Sequence, residues 1–142
     1  MPANTQPIYP NTIIQWRATL INQVVPRIIT TQSPVKLGTA GDFGAIIHSI
    51  DVQPLGDNVA TTVRIYTLES PETTPILQDE LSIPGQSGSN DATSISRLTF
   101  SLPDILPLGN KGLHLSSGMA VYCALGTAIA TGLIVRVRGG NY

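Results

Sequence analysis

Thr131-Gly132-Leu133-Ile134-Val135-Arg136-Val137-Arg138-Gly139-Gly140-Asn141-Tyr142 closes the chain. Successive side chains of an extended strand point to opposite faces, so Leu133, Val135 and Val137 share one side while Ile134, Arg136 and Arg138 share the other. An apolar period of two in a stretch rich in β-branched residues reads as a half-buried β-strand, not a helix. Gly139 and Gly140 then read as a hinge that lets Asn141 and Tyr142 turn towards a neighbour.

The same pattern recurs upstream. Thr61-Thr62-Val63-Arg64-Ile65-Tyr66-Thr67-Leu68 alternates in the same way, and so does Thr93 to Leu102, where Leu98, Phe100 and Leu102 fall on one face. Further strand-like runs cover Thr12–Ile21, Val24–Thr31 (with Pro26 at an edge or bend), Val35–Leu37, Ala45–Gln53, Ile76–Ile83, Leu113–Ser116 and Met119–Leu125. Turn clusters separate them: Gly38 to Gly44, Pro54 to Asn58, Glu69 to Pro75 and Pro84 to Asp91. Between Pro103 and Gly112 the prolines prevent a regular helix, so Ile105, Leu106 and Leu108 are expected to pack from a loop. The window from Ile13 to Val24 is ambiguous, because Ile13, Trp16, Leu20 and Val24 also fit helical spacing; its β-branched content favours a strand.

Roughly eight to ten short strands at about 8–12-residue spacing define an all-β chain, an antiparallel two-sheet sandwich of Greek-key or jelly-roll type. Residues 12–142 form this single domain. Residues 1–11, with three prolines and no periodicity, form an extended N-terminal arm with Ile8 and Tyr9 as anchors.

Composition narrows the function. The chain has 142 residues, 42% of them apolar, but only 12% charged. That charge content is about half the usual level, which points to a surface covered in part by other subunits. A net charge of −1 gives no basis for holding a nucleic-acid backbone. No apolar run is long enough to span a membrane, and the start lacks the basic-then-apolar layout of a signal peptide. A single cysteine, Cys123 in an apolar run, reads as an inert core thiol.

Catalytic patterns are thin. His48 and His114 lie in strand-like runs with no partner at metal spacing. The Gly85-Gln86-Ser87-Gly88-Ser89 stretch leads into a strand and is no nucleophile elbow. Asp79 and Glu80 are adjacent, so on a strand they point to opposite faces and are poorly placed to share a substrate. Three glycines between Gly38 and Gly44 precede no helix and form no phosphate loop. The expectation is a non-enzymatic protein with no cofactor and no metal. Arg64, Arg136 and Arg138 are the one charge constellation: were their strands to share a sheet, they would form a basic stripe on its outer face, read first as a solvated face, next as one that a neighbouring subunit's acids could meet, and last as an active site.

Four segments carry a family resemblance. The opening Pro2-Ala3-Asn4-Thr5-Gln6-Pro7-Ile8-Tyr9-Pro10 and the close Val135-Arg136-Val137-Arg138-Gly139-Gly140-Asn141-Tyr142 resemble the two ends of small structural proteins encoded by tailed bacteriophages and prophages. Ala40 to Ile50 resembles their glycine loop before a strand, and Gly56 to Ile65 is similar to another of their segments. The chain departs from the pattern at Asn141, where Asp is usual, and at Arg136 and Arg138, where smaller residues are common. The resemblance implies a virion component: a capsid decoration (cement) protein on the capsid surface, made in the host cytoplasm. It would bind the major capsid protein across capsomer junctions as a homo-oligomer, a trimer by class. Ile8, Tyr9, Arg64, Arg136, Arg138, Asn141 and Tyr142 would make intersubunit contacts. A tail, neck or baseplate adaptor is the alternative. A carbohydrate-binding module comes third, since Trp16, Phe43, Phe100 and four tyrosines are scattered and form no aromatic cluster.

Overall fold

The computed structural model describes residues 12–87, 95–103 and 111–142. Ile8 and Tyr9, and the loop positions Ile105, Leu106 and Leu108, lie outside the described residues. Among the described residues there are nine strands and no helix: β1 (Thr12–Leu20), β2 (Val35–Thr39), β3 (Ala45–Pro54), β4 (Thr61–Leu68), β5 (Ile76–Ile83), β6 (Leu98–Thr99), β7 (Leu113–Leu115), β8 (Ala120–Leu125) and β9 (Leu133–Asn141). One sheet has the order β1-β9-β3-β6, with β7 also on β3, and the other has the order β2-β8-β4-β5. Every strand pairing within the sheets is antiparallel. The chain crosses repeatedly between the sheets in the order of a jelly roll.

The closing strand β9 is paired on both sides over its whole length, from Leu20↔Leu133 to Thr12↔Asn141 on β1 and from Pro54↔Leu133 to Ala45↔Asn141 on β3. Its inward residues Leu133, Val135 and Val137 are buried as the alternation requires. They meet Ile14 and Leu20 of β1, Ile47, Ile50 and Val52 of β3, and Val63, Ile65, Val121, Cys123 and Leu125 of the facing sheet in one core. The ambiguous first window is a strand through Leu20, because β9 pairs with β1 residue by residue and turns Ile14, Trp16, Ala18 and Leu20 inward. Helical spacing would have put Ile13 with Trp16; instead Ile13 is 79% exposed.

Four expectations are corrected. First, Gly139 and Gly140 are not a hinge. They lie inside β9, between Ile14 and Ile47 and between Ile13 and Ile46. A Cβ on Gly139 would be driven into the Ile46 carbonyl oxygen and to 2.9 Å from the Ile47 Cα, so glycine permits the close approach of β3. Second, Val24–Thr31 is not a strand. Apart from an isolated parallel bridge from Val24 to Leu125, it is irregular, since Pro26 offers no ladder donor. Third, Arg64 stands on β4 in one sheet and Arg136 and Arg138 on β9 in the other, so the three do not form one stripe. Fourth, within the described part of Thr93–Leu102 only Leu98–Thr99 is strand, although Phe100 and Leu102 are still buried.

At the open edge between the sheets, β2 runs on through Gly38 with a register shift between Lys36 and Gly38. The Trp16 indole of β1 lies directly over Gly38 and would collide with any side chain there. Gly139→Ala is expected to cost about 1–3 kcal/mol through overpacking against backbone, read as a lower urea midpoint. Gly38→Ala should displace the only tryptophan and red-shift its fluorescence in the folded protein; an unchanged spectrum would contradict this packing.

Candidate interaction surfaces

The segment from Asn22 to Pro34 crosses the outer face of the second sheet. Val25 packs there with Tyr66 and Ala124, and Ile29, Leu77 and Tyr122 add to this small second core. Its backbone oxygens are tied down from beneath: Arg64 Nη1 donates to the Val25 carbonyl at 2.7 Å, and the Tyr66 hydroxyl donates to the Pro26 carbonyl at 2.8 Å. Arg64 Nε also donates to Glu80 Oε1 at 2.8 Å, and Arg27 on the crossing segment reaches the same oxygen at 2.8 Å. The hydrogen bond from Arg64 is the main reason the Glu80 carboxyl is held below its ordinary value; partial burial opposes the shift and Arg27 reinforces it. Burial pushes the Tyr66 hydroxyl up against the opposing pull of Arg64. Arg64, its side chain only 12% exposed, therefore fastens the crossing segment to the sheet.

On the outer face of the first sheet the arginines have a different setting. Register places Arg17 of β1 directly opposite Arg136 of β9, with Arg138 opposite Gln15 two residues along on the same face. Together with Trp16 and Val137 they line a hollow of about 440 Å³. Arg136 Nη1 donates to Gln53 Oε1 at 3.3 Å. Asp51 faces Arg136 across β3, but its carboxylate accepts from Thr99 Oγ1 at 2.9 Å and lies 3.8 Å from Arg97. Among the described residues no carboxylate forms an ion pair with Arg17, Arg136 or Arg138. Like charges directly opposite on neighbouring strands repel, so Arg17 and Arg136 disfavour each other at this register. Arg17 was not singled out by sequence reasoning, because its neighbour Arg136 is over a hundred positions away and only the β1–β9 register joins them.

A second surface borders the crossing segment. Arg27, Ile28, Ile29, Pro75, Ile76 and Leu77 line an apolar cleft of about 540 Å³ that Glu72 also borders. Ile28 is 80% exposed and Ile76 55%. The adjoining turn has exposed Glu69 and Glu72, with the Glu72 amide donating to the Glu69 carbonyl at 2.8 Å.

The chain's described ends meet at one end of the sandwich. Asn141 Oδ1 accepts from the Gly41 amide at 3.0 Å, and its Nδ2 donates to Thr12 Oγ1 at 3.3 Å. The Tyr142 amide donates to the Gly44 carbonyl at 3.1 Å. Asn141 thus joins Thr12 at the start of β1, the 40–44 loop and the last strand. The loop also presents Phe43, 83% exposed.

Among the described residues no group of three His, Cys, Asp or Glu side chains could hold a metal ion. His48 and His114 are exposed on β3 and β7, and Cys123 is buried, its thiol pushed up to about 12 by desolvation. No helix among the described residues is long and apolar enough to cross a membrane. No family model, no curated protein and no solved structure matches the chain.

Two outcomes follow from these settings. Cys123 should resist a thiol reagent at mildly alkaline pH in the native protein and react at once in denaturant, as measured by thiol titration. Because its carboxyl is depressed in the fold, Glu80 contributes stability that is full above the ordinary carboxylate range and lost as pH falls through its lowered folded value. Urea midpoints should therefore fall on acidification, and Glu80→Gln should lower the midpoint at neutral pH while flattening that acid dependence.

Proposed function

We propose that this chain is a non-enzymatic structural protein of a bacteriophage particle: a capsid decoration protein that binds the major capsid protein across capsomer junctions as a homo-oligomer, a trimer by class. The observation that carries the reading is the gathering of apolar contact groups where the described ends of the chain meet. The root of the arm at Thr12, the exposed Ile13 and Phe43, and the terminal Tyr142 share one end of the sandwich. An N-terminal arm preceding Thr12 would engage a partner cooperatively with this patch, because docking of one holds the other at high effective concentration.

Three further features support it. The residues at both ends resemble those of small phage structural proteins. A charge content of 12% suits a protein whose surface is largely covered in an assembly. The jelly roll recurs among viral capsid proteins, though it also serves lectins and other functions, so the fold supports the reading only by analogy.

Copy number on purified particles tests the placement. Many copies over the whole shell are expected; a few copies at one vertex would make the protein a tail or neck adaptor instead. Deleting residues 1–11 should leave a domain with normal circular dichroism but weaken its binding to undecorated shells. Unchanged binding of the truncated chain would overturn the role given to the arm.

A further inference from the structure

Two surfaces whose charged groups form no ion pair among the described residues carry opposite charge. One presents Arg17, Arg136 and Arg138, with Ile13 exposed on the same face of β1. The other presents Glu69 and Glu72 on one exposed turn, beside the exposed Ile28 and Ile76. Among the described residues neither glutamate takes part in an ion pair, and nor does any of the three arginines.

Within one molecule the two surfaces belong to different sheets. The arginines stand on β1 and β9, and the glutamates lie in the connection from β4 to β5. We infer that copies of this chain join head to tail, the Glu69–Glu72 turn of one molecule seated on the Arg17/Arg136/Arg138 face of the next. The inference deepens the homo-oligomer of the proposed function and rests on that part of it.

The proposed arrangement is heterologous. A twofold contact through the arginine face would set guanidinium against guanidinium, whereas a head-to-tail contact pairs unlike surfaces and closes into a ring if the rotation allows. Guanidinium groups suit the task because they bind carboxylates in a planar, two-point geometry. Exposed ion pairs alone contribute little, so the bordering apolar groups matter. Ile28 and Ile76 flank the acidic turn as Ile13 flanks the arginines, so apolar area can be buried as the charges meet. Nucleic acid is a poorer occupant, since the molecule as a whole carries a charge of −1.

The test uses the full chain in solution, free of particles. Light scattering after size exclusion is expected to show an oligomer at low salt that dissociates as salt rises, because screening weakens the contact. Arg17→Glu with Arg138→Glu, and separately Glu69→Arg with Glu72→Arg, should each weaken association by at least about tenfold while leaving the melting transition in place. All four changes combined restore opposite charges across the contact and should restore the oligomer. A wild-type monomer at low salt, an oligomer indifferent to either pair of changes, or a four-fold variant that stays apart would each overturn the inference. So would a monomer whose arginine face instead binds heparin. Binding to undecorated shells, measured on the same variants, keeps failure of this contact distinct from failure of the capsid reading.

Discussion

The two-sided pairing of β9 is the constraint on which the rest of the structure depends. A strand hydrogen-bonded along both edges has its register set twice, and here both neighbours come from earlier in the chain. That register decides which β9 side chains enter the core: a slip of one residue would carry Arg136 and Arg138 inward and expel Val135 and Val137. It also brings Thr12 beside Asn141, so the first and last described strands begin and end at the same end of the sandwich. Gly139 is the point at which this strand and β3 approach too closely for a side chain. One extra residue in β3, at the shift between Ile47 and Ser49, absorbs the irregularity next to it.

The second sheet is held differently. Its outer face is covered not by a strand but by the irregular stretch from Asn22 to Pro34, which leaves backbone carbonyls with no ladder to join. Arg64 and Tyr66 satisfy them from below. Buried carbonyls without partners are costly, so these two side chains give the crossing segment a defined path. The same contacts account for Tyr66 being fully buried on a face that simple alternation would leave open to water.

Arginine serves two ends in this protein, and position alone separates them. Arg64 is surrounded by carbonyls and Glu80 and spends its donors inside the chain. Arg17, Arg136 and Arg138 stand on an outer face with no carboxylate ion pair among the described residues.

Much of the fold was legible from residue order. Alternation in 61–68 and 131–138 marks strands because a strand with one buried face must repeat every two residues, and proline and glycine clusters mark the turns because they cannot continue a ladder. Burial of Cys123 follows from its apolar run. Other features depend on which residues meet across the sandwich, and local pattern carries no information about that. Val24–Thr31 has strand composition but no partner for its ladder. Gly139 and Gly140 have hinge composition but are clamped between two strands. Arg17 became part of a basic face only when β1 lay against β9, and Arg64 was removed from it when β4 joined the opposite sheet. An all-β chain, most of its strands and their inward faces follow from residue order alone, because short-range sterics and hydrophobic period set them. The make-up of the charged face and the place of the terminal glycines came from long-range pairing, which no local pattern encodes.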